Sequence, residues 1–173
     1  IRDSFRHEAA VLRELRHPGI TAFLDAGEAD LVRAGASVRV PYLAMELVAG
    51  LPLRRFVREH QLDQRARLEL GARLCDALGH AHERGIVHRD VTPENILVVR
   101  SDPVGQPKLL DFGVSLARDL PAADGSSAPA ALVGTRPSTS PEHPAPAGGG
   151  DARSDVYSLG GVRCELGTDR LPY

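Results

Sequence analysis

The sequence predicts an α+β fold, with strand-forming runs early in the chain and a mainly helical second part. Three observations carry that expectation. Ala66, Leu70, Leu74, Ala77, Leu78 and Ala81 form one apolar stripe at helical spacing within 62–83. Tyr42 to Leu47 is an apolar run that reads as a buried strand, ended by Ala49-Gly50. Two short apolar runs, Ile96 to Val99 and Lys108 to Leu110, flank the turn Ser101-Asp102-Pro103-Val104-Gly105, which is a hairpin signature.

The other elements follow in chain order. Phe5, Ala9, Leu12 and Leu15 are spaced for a helix from about Ser4 to Arg16, and His17-Pro18-Gly19 stops it. Ile20 to Leu24 reads as a short strand, and Ala29 to Arg39 as loops. A short helix is expected near Leu53 to Arg58, and Gly85 ends the long helix that follows. Between Asp119 and Gly150 the composition shifts: six of the 13 prolines fall between Pro121 and Pro146, beside Ser126-Ser127 and Gly148-Gly149-Gly150. Such a segment is not regular structure, and its length points to a functional or disordered loop. Helical periodicity returns from Val156 to Leu166.

Composition bounds the function. The 173 residues make one domain, with 42% hydrophobic content to fill a core. A formal charge of -2 leaves no basic footprint for nucleic acid. No apolar run approaches the roughly 18 residues of a membrane span, so the expectation is a soluble, cytoplasmic segment. Cys75 and Cys164 sit in apolar surroundings and read as buried free thiols. His7, His17, His60, His80, His82 and His143 have no metal-ligand spacing. The chain begins at Ile1 and ends at Tyr173 without a stop signal, which suggests a piece of a longer protein. Of the 21 basic residues, 20 are Arg; the sole lysine is Lys108.

The chemistry concentrates in Val87-His88-Arg89-Asp90-Val91-Thr92-Pro93-Glu94-Asn95. An Asp followed five residues later by Asn, in a loop after a long helix, places a carboxylate base and a metal-binding amide on one surface. Asp111-Phe112-Gly113 puts a second acid in a turn after a strand, facing Asn95 across the hairpin. Oxygen ligands of this kind suit Mg²⁺ together with substrate phosphates. Asp90 would accept the proton of an attacking hydroxyl.

These residues resemble the eukaryotic-type serine/threonine protein kinases in their bacterial form. His88-Arg89-Asp90 with Asn95 resembles the catalytic loop, and Asp111-Phe112-Gly113 the metal-binding turn. Gly134-Thr135 with Ser140-Pro141-Glu142 resembles the end of the activation segment, and Asp155 to Gly160 the start of the helix that buttresses the loop. The resemblance covers essentially the whole chain. It implies a protein-kinase-like two-lobe fold, with a partial small lobe from helix C onward and an incomplete, mainly helical large lobe. Residues 1–48 would be the remainder of the small lobe and the hinge, and 49–173 the large lobe, with an activation segment at about 111–142.

The resemblance also assigns roles. It implies ATP as phosphoryl donor, Mg²⁺ or Mn²⁺ as cofactor, and Ser/Thr of proteins as acceptor. Asp90 would be the base, Thr135 would orient it, and Asn95 and Asp111 would hold the metal. Arg89 would pair with a phosphate that orders the activation segment; Ser126, Ser127, Ser138, Thr139 and Ser140 are the candidate carriers. Glu8 resembles the glutamate that pairs with the phosphate-clamping lysine. Met45 resembles the gatekeeper, Glu46-Leu47-Val48 the adenine-binding hinge, and Leu97 the residue under the adenine. Leu12, Phe23, His88 and Phe112 resemble the apolar spine, and Asp155 would hydrogen-bond the catalytic-loop backbone.

Several positions depart from the family pattern. The glycine-rich loop and strand lysine would lie upstream of Glu8, so the 173 residues alone are expected to be inactive. Thr92 stands where a phosphate-contacting lysine is usual. Ser138 stands in place of tyrosine and Ser140 in place of alanine. Arg163 falls where the helix is usually apolar, and burying it unpaired would be costly. Thr92, Ser138 and Arg163 motivate an alternative reading: a pseudokinase, or interaction module without phosphoryl transfer. A small-molecule kinase is disfavoured by Arg89, Phe112 and Pro141-Glu142.

Overall fold

The computed structural model describes residues 12–33, 36–112 and 151–168. Most of the expected first helix lies outside these; its end, 12–14, is helical, with Leu12 and Leu15 buried. The stop at His17-Pro18-Gly19 is built as expected. His17 Nδ1 accepts the Gly19 N–H at 3.0 Å, and the Ile20 N–H donates to the His17 carbonyl at 3.0 Å.

Strand β1 (Phe23–Arg33) pairs antiparallel with β2 (Ala36–Met45), from Phe23 opposite Met45 to Arg33 opposite Ala36. This corrects three expectations. Ile20 forms only an isolated parallel bridge with Leu109, so the strand starts later than the sequence suggested. The stretch 29–39 is a regular hairpin ladder, apart from 34–35, which lie outside the described residues. Its strand character is masked because its apolar residues are exposed, Leu31 at 58%, Val32 at 75% and Val38 at 40%. No one-sided alternation marks it; backbone pairing and charge pairs such as Arg39–Glu28 at 3.1 Å carry it. The run from Tyr42 to Leu47 is not a buried strand either. Leu43 packs against the core, Tyr42 turns outward with its hydroxyl donating to Asp25 at 3.0 Å, and Leu47 lies past the strand end, 95% exposed.

A second sheet has the order β3-β4-β5, all antiparallel: β3 (Leu51–Pro52), β4 (Ile96–Val99) and β5 (Gln106–Leu109). The turn between β4 and β5 is the predicted one. Asp102 Oδ1 accepts the N–H groups of Val104 and Gly105 at 2.9 and 2.7 Å. Gly105 has φ +85°, and a Cβ there would meet Phe56 and Val98 at 2.6 Å, so only glycine fits.

Three further helices complete the described part of the fold. Helix α1 (Leu53–Glu59) and helix α2 (Gln64–His82) match the expected positions. Asp63 caps α2 by accepting the Ala66 N–H at 2.8 Å, and Gly85, at φ +73°, follows its C-terminus. The predicted stripe is real: Leu70, Leu74, Ala77, Leu78 and Ala81 are buried, and Ala66 packs beside them. They meet Ile96, Val98 and Leu109 of the sheet and Leu159, Val162 and Leu166 of α3 (Ala152–Thr168) in one core.

Two predictions about α2 and α3 fail. Cys75 and Cys164 are exposed, because each lies off the buried stripe of its helix. Arg163 is exposed as well; its aliphatic stem runs across Gly71 of α2, where a Cβ would lie 3.4 Å from Arg163 Cγ. The feared buried charge does not exist. The proline-rich segment 119–150 lies outside the described residues. Among the described residues, no helix is long and apolar enough to cross a membrane.

Candidate active site

The loop after α2 is held from behind by one buried carboxylate. Asp155, 1% exposed at the start of α3, accepts the His88 N–H through Oδ2 at 2.8 Å and the Arg89 N–H through Oδ1 at 2.7 Å. His82 Nε2, at the end of α2, donates to Oδ2 at 2.8 Å. Three donors compensate the burial of this charge. Arg89 takes φ +66°, a left-handed conformation uncommon for a residue with a Cβ.

His88 holds the loop from the front. Its Nδ1 accepts the Asp90 N–H at 3.2 Å, so Nε2 carries the proton and donates to the Leu110 carbonyl at 2.7 Å. Burial keeps its pKa below the ordinary histidine value, with Asp155 opposing that effect. Its ring meets Phe112 edge-on, with centroids 4.5 Å apart. Leu12 and Phe112 are buried in the same core, and Phe23 packs against it, so the four residues of the expected spine adjoin one cluster.

Asp90 and Asn95 come together as predicted. Asn95 Nδ2 donates to the Asp90 backbone carbonyl at 2.9 Å and to the Asp90 carboxylate Oδ2 at 3.0 Å. A carbonyl only accepts, so the amide nitrogen must face it, and Oδ1 is left as the Asn95 acceptor. The 3₁₀ turn Pro93–Asn95 carries this side chain to the start of β4. Arg54 of α1 steadies the turn: its Nη1 donates to Glu94 at 2.9 Å, while Nε and Nη2 hold Glu165 of α3.

Asp111 follows β5 at φ +61°, half-buried, immediately before Phe112. The Leu110 N–H donates to the Asn95 carbonyl at 2.9 Å, which links the two acidic turns. A carboxylate and a carboxamide oxygen are the donor chemistry a hard divalent cation takes, so the residues present fit Mg²⁺ or Mn²⁺. Among the described residues, no cluster of three His, Cys, Asp or Glu could hold a metal ion on its own.

Met45 ends β2, half-buried, and the chain then runs through Glu46 and Val48 to Gly50. Gly50 lies tight against β4, where a Cβ would be 2.9 Å from the Val98 carbonyl and 3.3 Å from Leu97 Cβ. Leu97 is on the other face of β4 from the buried Ile96 and Val98. Gly50, two residues past Val48, therefore borders Leu97. Glu8 and Thr135, and the serines and threonine proposed to carry phosphate, lie outside the described residues.

The sequence reading overlooked the parts played by His82 and Arg54, and the pairing of Lys108 with Glu46. Lys108 Nζ lies 2.7 Å from Glu46 Oε2. Its being the sole lysine, placed just before Asp111, was the available signal. Thr92 is 3% exposed, and its hydroxyl has no hydrogen-bond partner among the described residues.

Comparison with known proteins gives the family. The family model described as protein kinase domain matches residues 1–173. A probable serine/threonine-protein kinase of Corynebacterium efficiens is 43% identical over 178 residues, covering 99% of this chain and 25% of that protein. The serine/threonine-protein kinase PknB of Mycobacterium tuberculosis is 41% identical over 172 residues, covering 98% of this chain and 26% of its own length. The chain thus spans about a quarter of the curated relatives it matches. Among solved structures, Rad53 1–466 in complex with AMP-PNP superposes with a TM-score of 0.67 at 27% identity, covering 99% of this chain and 39% of that one. The fold, the loop strapped to Asp155 and these matches lead to one conclusion: the chain belongs to the protein kinase family, in its bacterial serine/threonine type.

Proposed function

We propose that the protein containing this chain transfers the γ-phosphoryl group of ATP to serine or threonine hydroxyls of protein substrates, in the cytoplasm. The observation that carries this reading is the Asp90 carboxylate, half-buried and held by Asn95 Nδ2 at 3.0 Å in a loop fixed to Asp155. A carboxylate so placed accepts the hydrogen bond of an incoming hydroxyl, aims its oxygen and takes its proton. Asn95 Oδ1 and Asp111 would hold the cation. A bound Mg²⁺ or Mn²⁺ supplies charge neutralisation on the phosphates.

Adenine would lie against the backbone of Glu46 to Val48 and over Leu97, with Met45 at the back of the pocket. Arg89 is exposed beside the base, where it can pair with a phosphorylated activation segment. Thr135 would orient Asp90, and Glu8 would pair with the phosphate-clamping lysine of the family. Residues 1–48 are assigned to the small lobe and hinge, and 49–173 to the large lobe.

Catalytic competence is favoured over a pseudokinase because base, amide and second acid are all retained. Of the departures that motivated the alternative, Arg163 is exposed and costs nothing. The test is incubation of the full-length protein with ATP and Mg²⁺ or Mn²⁺ and a generic protein substrate, with mass-spectrometric mapping of products. Phosphoserine or phosphothreonine is expected; phosphotyrosine alone, or no transfer with either metal, overturns the reading.

A further inference from the structure

Three distant segments close on one another behind the hinge. The loop 19–22 is tied to β5: the Leu109 N–H donates to the Gly19 carbonyl at 2.9 Å, and the Thr21 N–H and hydroxyl both donate to the Leu109 carbonyl, at 3.0 and 2.8 Å. The same loop is tied to the hinge. The Glu46 N–H donates to the Ala22 carbonyl at 2.8 Å, and the Ala22 N–H returns to Glu46 Oε2 at 3.1 Å. Lys108 closes the triangle from β5, with its ammonium 2.7 Å from that oxygen and its side chain 16% exposed.

The hinge needs this anchor. Past the end of β2 at Met45, the Glu46 N–H donates to the Ala22 carbonyl and the Gly50 N–H to the Val48 carbonyl within 46–50. Leu47 is 95% exposed and adds no packing. At the Met45 end, the Glu46 side chain and backbone N–H tie this segment to the loop 19–22 and to β5, while Gly50 packs on β4 at the other end. The charged partner Lys108 holds the Glu46 carboxyl below the ordinary glutamate range.

We infer that Lys108 is a positioning residue for nucleotide binding. Through Glu46 it fixes the backbone that faces adenine, and it sits three residues before the cation-holding Asp111. This rests on the ATP-binding reading of the hinge given above. Preorganisation of a binding segment acts on affinity more than on the chemical step, because the reacting groups lie elsewhere.

The test uses the full-length protein with Lys108→Met, Lys108→Arg and the wild type, measuring KM for ATP, kcat, and calorimetric affinity for Mg-ATP. Lys108→Met is expected to raise KM and the dissociation constant roughly three- to tenfold, while kcat falls less than about twofold. Lys108→Arg restores KM, since a guanidinium also reaches the carboxylate. An unchanged affinity in Lys108→Met overturns the inference. So does a parallel loss of kcat and melting temperature in both variants, which marks a structural role only. If the wild type binds Mg-ATP but transfers no phosphate, the kinase reading fails instead, and the two calorimetric affinities still decide the role of Lys108.

Discussion

Asp155 and Arg89 are joined by a 2.7 Å hydrogen bond from the Arg89 backbone N–H to a carboxylate oxygen that is almost wholly buried. That bond, with its neighbour from His88, stabilises an Arg89 conformation at φ +66° and so aims Asp90, the next residue. Replacing Asp155 by Asn keeps the shape but sets an amide N–H₂ against a backbone donor. The expected cost is about 1–3 kcal/mol of stability, seen as a lowered melting temperature. A loss in kcat larger than the loss of folded protein is expected as well. An unaltered melting temperature and kcat would show that the strap is not needed.

Asn95 holds Asp90 through Nδ2 and, on the proposed reading, would offer Oδ1 to a cation. Asn95→Ala removes both. In the full-length protein, kcat is expected to fall about 10²-fold or more, and the Mg²⁺ concentration for half-maximal rate to rise. Titrating Mg²⁺ at saturating ATP checks this; an unchanged metal requirement would remove Asn95 from the cation site.

His88 predicts a pH dependence of stability. Burial depresses its pKa in the folded chain, whereas the unfolded chain titrates near the ordinary value of about 6.5. Above that value neither state is protonated, and no penalty arises. As pH falls through it, the unfolded chain gains a proton that the folded chain refuses, so stability drops until the folded-state value is reached. The slope is at most about 1.4 kcal/mol per pH unit from this residue. His80, also depressed by burial, contributes with the same sign. Melting temperatures between pH 7.5 and 5.5, roughly one unit either side of the ordinary value, should fall less steeply in His88→Phe than in the wild type. Equal slopes would contradict the assignment.

Thr92 buries a hydroxyl with no partner among the described residues. Thr92→Val removes the unpaired group at nearly constant volume. Stability is expected to hold or rise, by up to about 1 kcal/mol. A drop of that size in denaturant unfolding would mean that the hydroxyl is bonded in the native protein.

What was legible in the sequence was local. Asp90, Asn95 and Asp111 could be read because loop chemistry depends on residue types at short spacing, and the structure places them as expected relative to their elements. The α2 stripe and the β4–β5 turn were legible for the same reason: periodicity and a Gly at φ +85° are local signals. The β1–β2 ladder was not, since its middle residues are exposed and show no one-sided pattern. Nor was Lys108–Glu46, whose partners lie 62 residues apart in the chain. Arg163 and the two cysteines were misjudged because helical position alone does not say which face meets a neighbour.

The central claim is that Asp90 is the catalytic base of a phosphoryl transfer. The most direct measurement compares kcat for peptide phosphorylation by the full-length wild type and Asp90→Asn, at saturating ATP and Mg²⁺, with ATP affinity measured alongside. The account predicts a loss in kcat of about 10²- to 10⁴-fold with ATP affinity retained within a few-fold. A wild-type rate in Asp90→Asn would contradict it.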